Sequence, residues 1–425
     1  MNTPICDFVR QYAEKQTLRL HMPGHKGQAV LGVEHLDITE IDGADSLYEA
    51  GGIIRQSEEN ASRLFGCPTF YSTEGSSQCI RAMLYLATLG KKPLVAAGRN
   101  AHKTFLSAAA LLDLEVLWLT PRTQDSYLSC KLTPEDLEQV LEAHHPTAVY
   151  LTSPDYLGNL TDIRAMAEVC HRYGALLLVD NAHGAYLRFL PESLHPMDLG
   201  ADLCCDSAHK TLPVLTGGAY LHVTAPFVPQ VKNALALFGS TSPSYLILQS
   251  LDAANACLET YAETLAAFLP RAEGIKRELG LQGEEPLKLT IQTKQYGYTG
   301  TEYAALLETR NIICEFADPD FVVLMLTPEI DLEPVRTALL SIPAKAPLKE
   351  KPPVFHRPER VLSIRRAIFS PCETIPVSGS MGRILASPSV GCPPAVPIVV
   401  CGERIDREAV TCFQYYGIDQ CTVLL

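Results

Sequence analysis

The chain has 425 residues, of which 47% are hydrophobic, and a formal net charge of −13. That length exceeds what one hydrophobic core serves and implies two or three domains. No block of Lys and Arg offers a phosphate-neutralising surface, which argues against nucleic acid as a partner, and no apolar run approaches the roughly 20 residues of a membrane span. Met1 to Asp7 lacks the basic-then-apolar pattern of a secretory signal. The 14 cysteines are scattered, with Cys204 and Cys205 adjacent and no C-x-x-C, so no metal site is expected. Reduced, buried cysteines and a cytoplasmic location are the expectation.

From about residue 60 to 225, short apolar runs alternate with helical patterns. Leu94–Ala97 reads as a strand, 102–112 as a helix and Glu115–Leu119 as a strand. Thr133-Pro134-Glu135-Asp136 is a helix start, with a capping hydroxyl and a proline in the first turn. Ala148–Leu151 follows as a strand, then a helix from Ile163 to Tyr173 stopped by Gly174. Ala175–Val179 is a continuous apolar run, as in parallel strands covered on both faces. The alternation implies an α/β domain with a mostly parallel sheet, whose ligands bind beyond the carboxyl ends of the strands. Residues 242–279 are helical in pattern, and 285–345 form a smaller α/β segment with strands at Leu287–Ile291 and Phe321–Leu326 around a helix near Tyr303–Thr309. Lys345–Pro353 reads as a linker, and the remainder is proline-rich and irregular. The expected division is an N-terminal segment at 1–60, a large domain at 61–280, a small α/β domain at 281–346 and a C-terminal domain at 347–425.

Four features carry chemistry. Lys210, in Asp206-Ser207-Ala208-His209-Lys210-Thr211, follows an apolar strand and precedes Gly217-Gly218. A lysine amine there can form a Schiff base with pyridoxal 5′-phosphate (PLP). A lone lysine is more often a surface residue, but Asp180 changes the weighing. It closes the strand Leu176–Val179, 30 residues before Lys210, where a carboxylate can hold the pyridine nitrogen protonated. Thr73-Glu74-Gly75-Ser76-Ser77-Gln78 precedes a helical pattern and reads as a phosphate cradle, although the same residues also cap helices with no ligand. His102, in Arg99-Asn100-Ala101-His102-Lys103, can stack on a flat ring, although a lone histidine is more often structural.

With these residues in view, the chain resembles the ornithine/lysine/arginine decarboxylase family of fold type I, aspartate-aminotransferase-like enzymes. The resemblance rests on His21-Met22-Pro23-Gly24-His25-Lys26-Gly27, Asp37-Ile38-Thr39-Glu40, Gly43-Ala44-Asp45-Ser46-Leu47, Asn100-Ala101-His102-Lys103, Asp180-Asn181-Ala182-His183-Gly184, Ser207 to Pro213 and Ser240 to Tyr245. It covers most of residues 15–255, weakens through 285–345 and returns in part after 370. It implies a PLP-dependent transferase-like fold with a large mostly parallel-sheet domain, a small α/β domain and a short C-terminal domain. It also implies that Lys210 carries the cofactor, Asp180 pairs with the ring nitrogen, His102 stacks on the ring and His183 lies near the ring oxygen. Gly75, Ser76, Ser77, Ser207 and His209 would surround the phosphate, with Thr241 or Ser242 reaching it from a second subunit of a homodimer. The implied reaction is decarboxylation of a basic amino acid, with His102 or Lys210 reprotonating the carbon. An aminotransferase or lyase reaction, or a PLP-binding relative without decarboxylase activity, are the alternatives.

The chain departs from the family pattern near its C-terminus. Gly382-Arg383-Ile384-Leu385-Ala386-Ser387 stands where the family usually has Gly-Arg-Ile-Ser-Ala-Glu. Cys392-Pro393-Pro394-Ala395-Val396-Pro397 replaces a Tyr-Pro-Pro-Gly-Ile-Pro stretch, and Tyr186 replaces a common histidine. Ser387 in place of a glutamate weakens the expectation of a long cationic substrate.

Overall fold

The computed structural model describes residues 1–121, 126–281, 283–354, 357–387 and 395–425. The chain opens with α1 (Pro4–Glu14) and α2 (Ile53–Phe65), which ends at Gly66 in the left-handed conformation (φ 73°). β1 (Thr69–Ser72), α3 (Gly75–Thr88), β2 (Leu94–Gly98), α4 (Lys103–Leu111) and β3 (Glu115–Leu119) follow. α5 (Pro134–His144) starts where the sequence signals it, with Thr133 and Asp136 forming a reciprocal capping box. Then come β4 (Ala148–Thr152), α6 (Ile163–Arg172), β5 (Leu176–Asp180), β6 (Leu203–Asp206), the single-turn α7 (Ala208–Thr211) and β7 (Ala219–Val223).

Residues 242–279, read as one helical stretch, are two helices after α8 (Val228–Ala236): α9 (Tyr245–Leu258), capped by Ser244, and α10 (Tyr261–Glu278). Their apolar residues Leu248, Leu251, Leu258, Leu265 and Phe268 are buried, and Leu246 is half-buried. β8 (Lys288–Gln292), α11 (Gly300–Glu308), β9 (Phe316–Ala317), β10 (Phe321–Met325) and α12 (Leu332–Leu340) form the small α/β segment. The last part is not irregular. It holds α13 (Ile364–Ile368), β11 (Cys372–Pro376), α14 (Arg407–Tyr415) and β12 (Gln420–Leu424), with β11 and β12 antiparallel. The strands pair across a long sequence separation, so short-range pattern does not reveal them.

The chain forms two compact units, residues 1–90 with 176–264 and residues 91–175 with 265–425. The first carries strands in the order β1-β7-β6-β5, and the second carries strands in the order β4-β2-β3. In the first unit β5 and β6 run parallel, while β7 is antiparallel to both β6 and β1. Its core includes Ile5, Val9, Ile54, Phe65, Tyr71, Tyr220, Leu248 and Leu251. Asp252 on α9 accepts the Ile5 and Cys6 amides at 2.9 and 3.0 Å, capping α1 from outside. In the second unit β2 is parallel to β3 and β4, and β8-β10-β9 form a separate antiparallel sheet. Leu128, Phe316, Val323, Val399, Ile405, Phe413 and Val423 share a core there. Among the described residues no helix is long and apolar enough to cross a membrane.

A buried acidic turn in the second unit gives the fold a pH dependence. Asp318 accepts the Asp320 and Phe321 amides, both at 2.7 Å, and is 7% exposed. Burial, reinforced by neighbouring Asp320, pushes its carboxyl up to about 6. A carboxyl raised in the fold contributes stability at pH values below its unfolded pKa, and that contribution is lost as pH rises through about 6. Asp318→Asn is therefore expected to raise stability at pH 8 by about 1–3 kcal/mol and to change little at pH values below 4. Thermal melts of the two proteins across that window check this; equal gains at both ends would remove the titration argument.

Candidate active site

Every candidate residue except His102 falls in the first unit. β5 delivers Asp180 at its carboxyl end, 2% exposed. Its Oδ1 accepts the Ala182 amide at 3.2 Å and a Cys205 thiol contact at 3.7 Å. Parallel β6 ends one strand over at Asp206, and α7 begins immediately, so Lys210 stands a turn beyond the sheet edge. Lys210 Nζ lies 3.1 Å from His183 Nε2, and His183, on the turn after β5, is 6% exposed. At that distance one hydrogen bridges the amine and the imidazole.

The residues expected to form a phosphate cradle lie around the start of α3. α3 begins at Gly75, its N-cap Glu74 supplies no side-chain cap, and Ser76 and Ser77 lie in its first turn. Gly75 has φ +69°, and a Cβ added there would meet nothing within 4 Å, so open space faces the helix start. Its amide donates to the Gly217 carbonyl at 2.7 Å. Ser207 Oγ donates to Ser76 Oγ at 2.8 Å, so a hydroxyl at the β6–α7 junction meets one at the start of α3. His209 Nδ1 donates to the Gly218 carbonyl at 2.9 Å, leaving Nε2 as an acceptor. Burial lowers its pKa, against the pull of that carbonyl. A dianionic phosphate beside Nε2 would draw a proton onto the ring.

Thr241 and Ser242 lie exposed on the loop between α8 and α9. His102, in the second unit, caps α4: its Nδ1 accepts the Thr104 amide at 3.1 Å, so Nε2 carries the proton in the neutral ring. Of the acidic residues nearby, Asp45 is a helix cap that accepts the amides of Gly51, Gly52 and Ile54, and Glu74 takes the Ser240 amide. Tyr186 is fully buried, Ser387 is half-buried and Cys392 lies outside the described residues.

Sequence reading missed the network behind the site. Asp206, fully buried, accepts His195 Nε2 at 3.1 Å and His222 Nε2 at 3.0 Å on one oxygen, and Asn181 Nδ2 at 2.7 Å on the other. Burial alone would raise its pKa, but the two imidazoles outweigh burial and hold it below the usual carboxylate range. It thus ties Asn181, next to Asp180, to the strand that leads into Ser207. The three side chains are close enough to suggest metal ligands. The Met197 amide, however, donates to His195 Nδ1 at 3.4 Å, which puts the proton on Nε2 and leaves no lone pair for a metal. Only the position of Asp206 beside Ser207 signalled this network. Gln78 was also missed. It accepts from Ser72 Oγ at 2.6 Å and donates to Tyr48 Oη at 2.8 Å, bracing the start of α3.

These residues fit PLP: an amine, a buried carboxylate, and an open, hydroxyl-lined helix start for a phosphate. The fold is that of the aminotransferase-like α/β enzymes, which bind this cofactor. The lysine decarboxylase LdcF of Francisella novicida superposes with a TM-score of 0.82 at 17% identity, covering 99% of this chain and 79% of that one.

The chain belongs to the Orn/Lys/Arg decarboxylase family, whose major-domain model matches residues 3–282. It is 30% identical to the uncharacterized protein YaaO of Bacillus subtilis, covering 96% of this chain and 93% of that one. It is 29% identical to an arginine decarboxylase of the same organism, covering 96% and 92%.

Proposed function

We propose that this protein is a PLP-dependent decarboxylase of a basic amino acid, releasing CO₂ and the corresponding amine in the cytoplasm. The observation that carries the reading is the grouping of Lys210, His183, Asp180 and the Ser76–Ser207 hydroxyl pair at the carboxyl ends of β5 and β6. Family membership supplies the reaction class, and the similar arginine decarboxylase favours a basic substrate.

Lys210 Nζ would hold the cofactor covalently, and Gly75, Ser76, Ser77, Ser207 and His209 would hold its phosphate. When bound, PLP supplies an electron sink for the carbanion left by departing CO₂. Asp180, buried and fixed by the Ala182 amide, would hold the ring nitrogen protonated. His183 exchanges a proton with Lys210, which readies the amine to return the proton to carbon. His102, with its proton on Nε2, would face the ring and is the second candidate donor. Thr241 and Ser242 would complete the phosphate site of a partner copy in a homodimer. Ser387, where the family resemblance places a glutamate, favours one further reading: a family member whose substrate has changed.

The test is a panel of arginine, lysine, ornithine and neutral amino acids on the purified, PLP-loaded protein, with CO₂ and amine followed together. One basic amino acid is expected to yield equal amounts of both. CO₂ from neutral amino acids alone would support the changed-substrate reading, and amine exchange without CO₂ would reassign the reaction.

A further inference from the structure

The turn that carries His102 is tied on both sides to a single C-terminal segment. On one side is Arg99, three residues before His102. Its guanidinium donates to Glu403 Oε2 at 2.9 Å and to the Ile398 carbonyl at 3.1 Å, and it lies over the Trp118 ring at 5.2 Å. Both side chains of this ion pair are inaccessible, at 0% and 2% exposure. Glu403 Oε2 also accepts the Val400 amide at 2.7 Å, so one carboxylate closes its own loop and anchors Arg99. On the other side Lys103, the first residue of α4, donates its amide to the Ala395 carbonyl at 2.9 Å. That amide is among those a helix start cannot satisfy within itself. Ala395 accepts it from a left-handed backbone (φ +56°), which a non-glycine residue holds only where its surroundings require it. Between the two anchors, His102 is held at Nδ1, which accepts the Thr104 amide.

We infer that Arg99 and Glu403 are positioning residues for His102. The buried pair, together with the Ala395 carbonyl, fixes where the ring stands and where its Nε2–H points. Buried ion pairs of this kind are costly to break singly, because each removal strands the other charge. A pair that served stability alone could be replaced by two apolar side chains with no loss of function. The inference rests on the reading of His102 as a residue that faces the cofactor.

The experiment compares the full-length wild type, Glu403→Gln and the double variant Arg99→Met/Glu403→Met. Two readouts are used: hydrogen exchange of the Lys103 and Thr104 amides without cofactor, and kcat and KM of the PLP-loaded protein. Glu403→Gln is expected to speed exchange at those two amides roughly tenfold while distant core amides stay unchanged. It should lower kcat roughly 10- to 100-fold with KM nearly constant. The double variant should melt close to the wild type yet keep the low kcat. A double variant that recovers both melting temperature and kcat would show a purely structural pair and overturn the inference, as would unchanged exchange in Glu403→Gln. If the wild type decarboxylates nothing while the exchange result holds, the functional reading fails and the positioning of the His102 turn stands.

Discussion

Lys210→Ala is expected to abolish decarboxylation, with a fall of at least ~10⁴-fold in kcat, while the protein remains folded. The side chain is half-buried on a one-turn helix, with its amine 3.1 Å from His183 Nε2. Removing it empties no apolar core, so the melting temperature should move by an amount equivalent to no more than about 1 kcal/mol. The proposed phosphate cradle is made by other residues, so PLP should still bind, without a covalent link. Product assays beside a thermal melt separate the two effects. Retained turnover at the wild-type rate would end the assignment of Lys210, and a collapsed fold would show that the lysine is chiefly structural.

Asp180→Asn is expected to cost roughly 10²- to 10³-fold in kcat, the scale of losing one preorganised electrostatic partner in a buried site. The amide oxygen of asparagine can still accept from Ala182, a bond of 3.2 Å in the native turn, so the backbone after β5 should hold. Asp180→Ala removes that bond as well and should add about 1 kcal/mol of destabilisation. The comparison isolates charge from turn geometry: activity should fall to a similar level in both variants, while the melting temperature falls mainly in the alanine protein. Normal turnover by Asp180→Asn would defeat the claim that its charge holds the ring nitrogen protonated.

What the sequence made legible was whatever short-range pattern encodes. The buried parallel strands announced themselves as continuous apolar runs, as at Leu176–Asp180, and α5 through its Thr133 cap. Lys210, Asp180, Ser76 and Ser207 each sit at the end or start of such an element, so locating the element located the residue. Interactions set by tertiary approach left no such trace. His195 and His222 reach Asp206 from 11 and 16 residues away, and Glu403 reaches Arg99 across 304. The C-terminal segment looked irregular because its prolines interrupt local periodicity, while β11 and β12 find each other at long range. His102 was legible as a residue, but the two anchors that hold its turn were not.

The most direct measurement is peptide mass mapping of the protein after loading with PLP and reduction with borohydride. The account requires one phosphopyridoxyl group, on the peptide that carries Lys210. A label on a different lysine, or no label after loading, would contradict it.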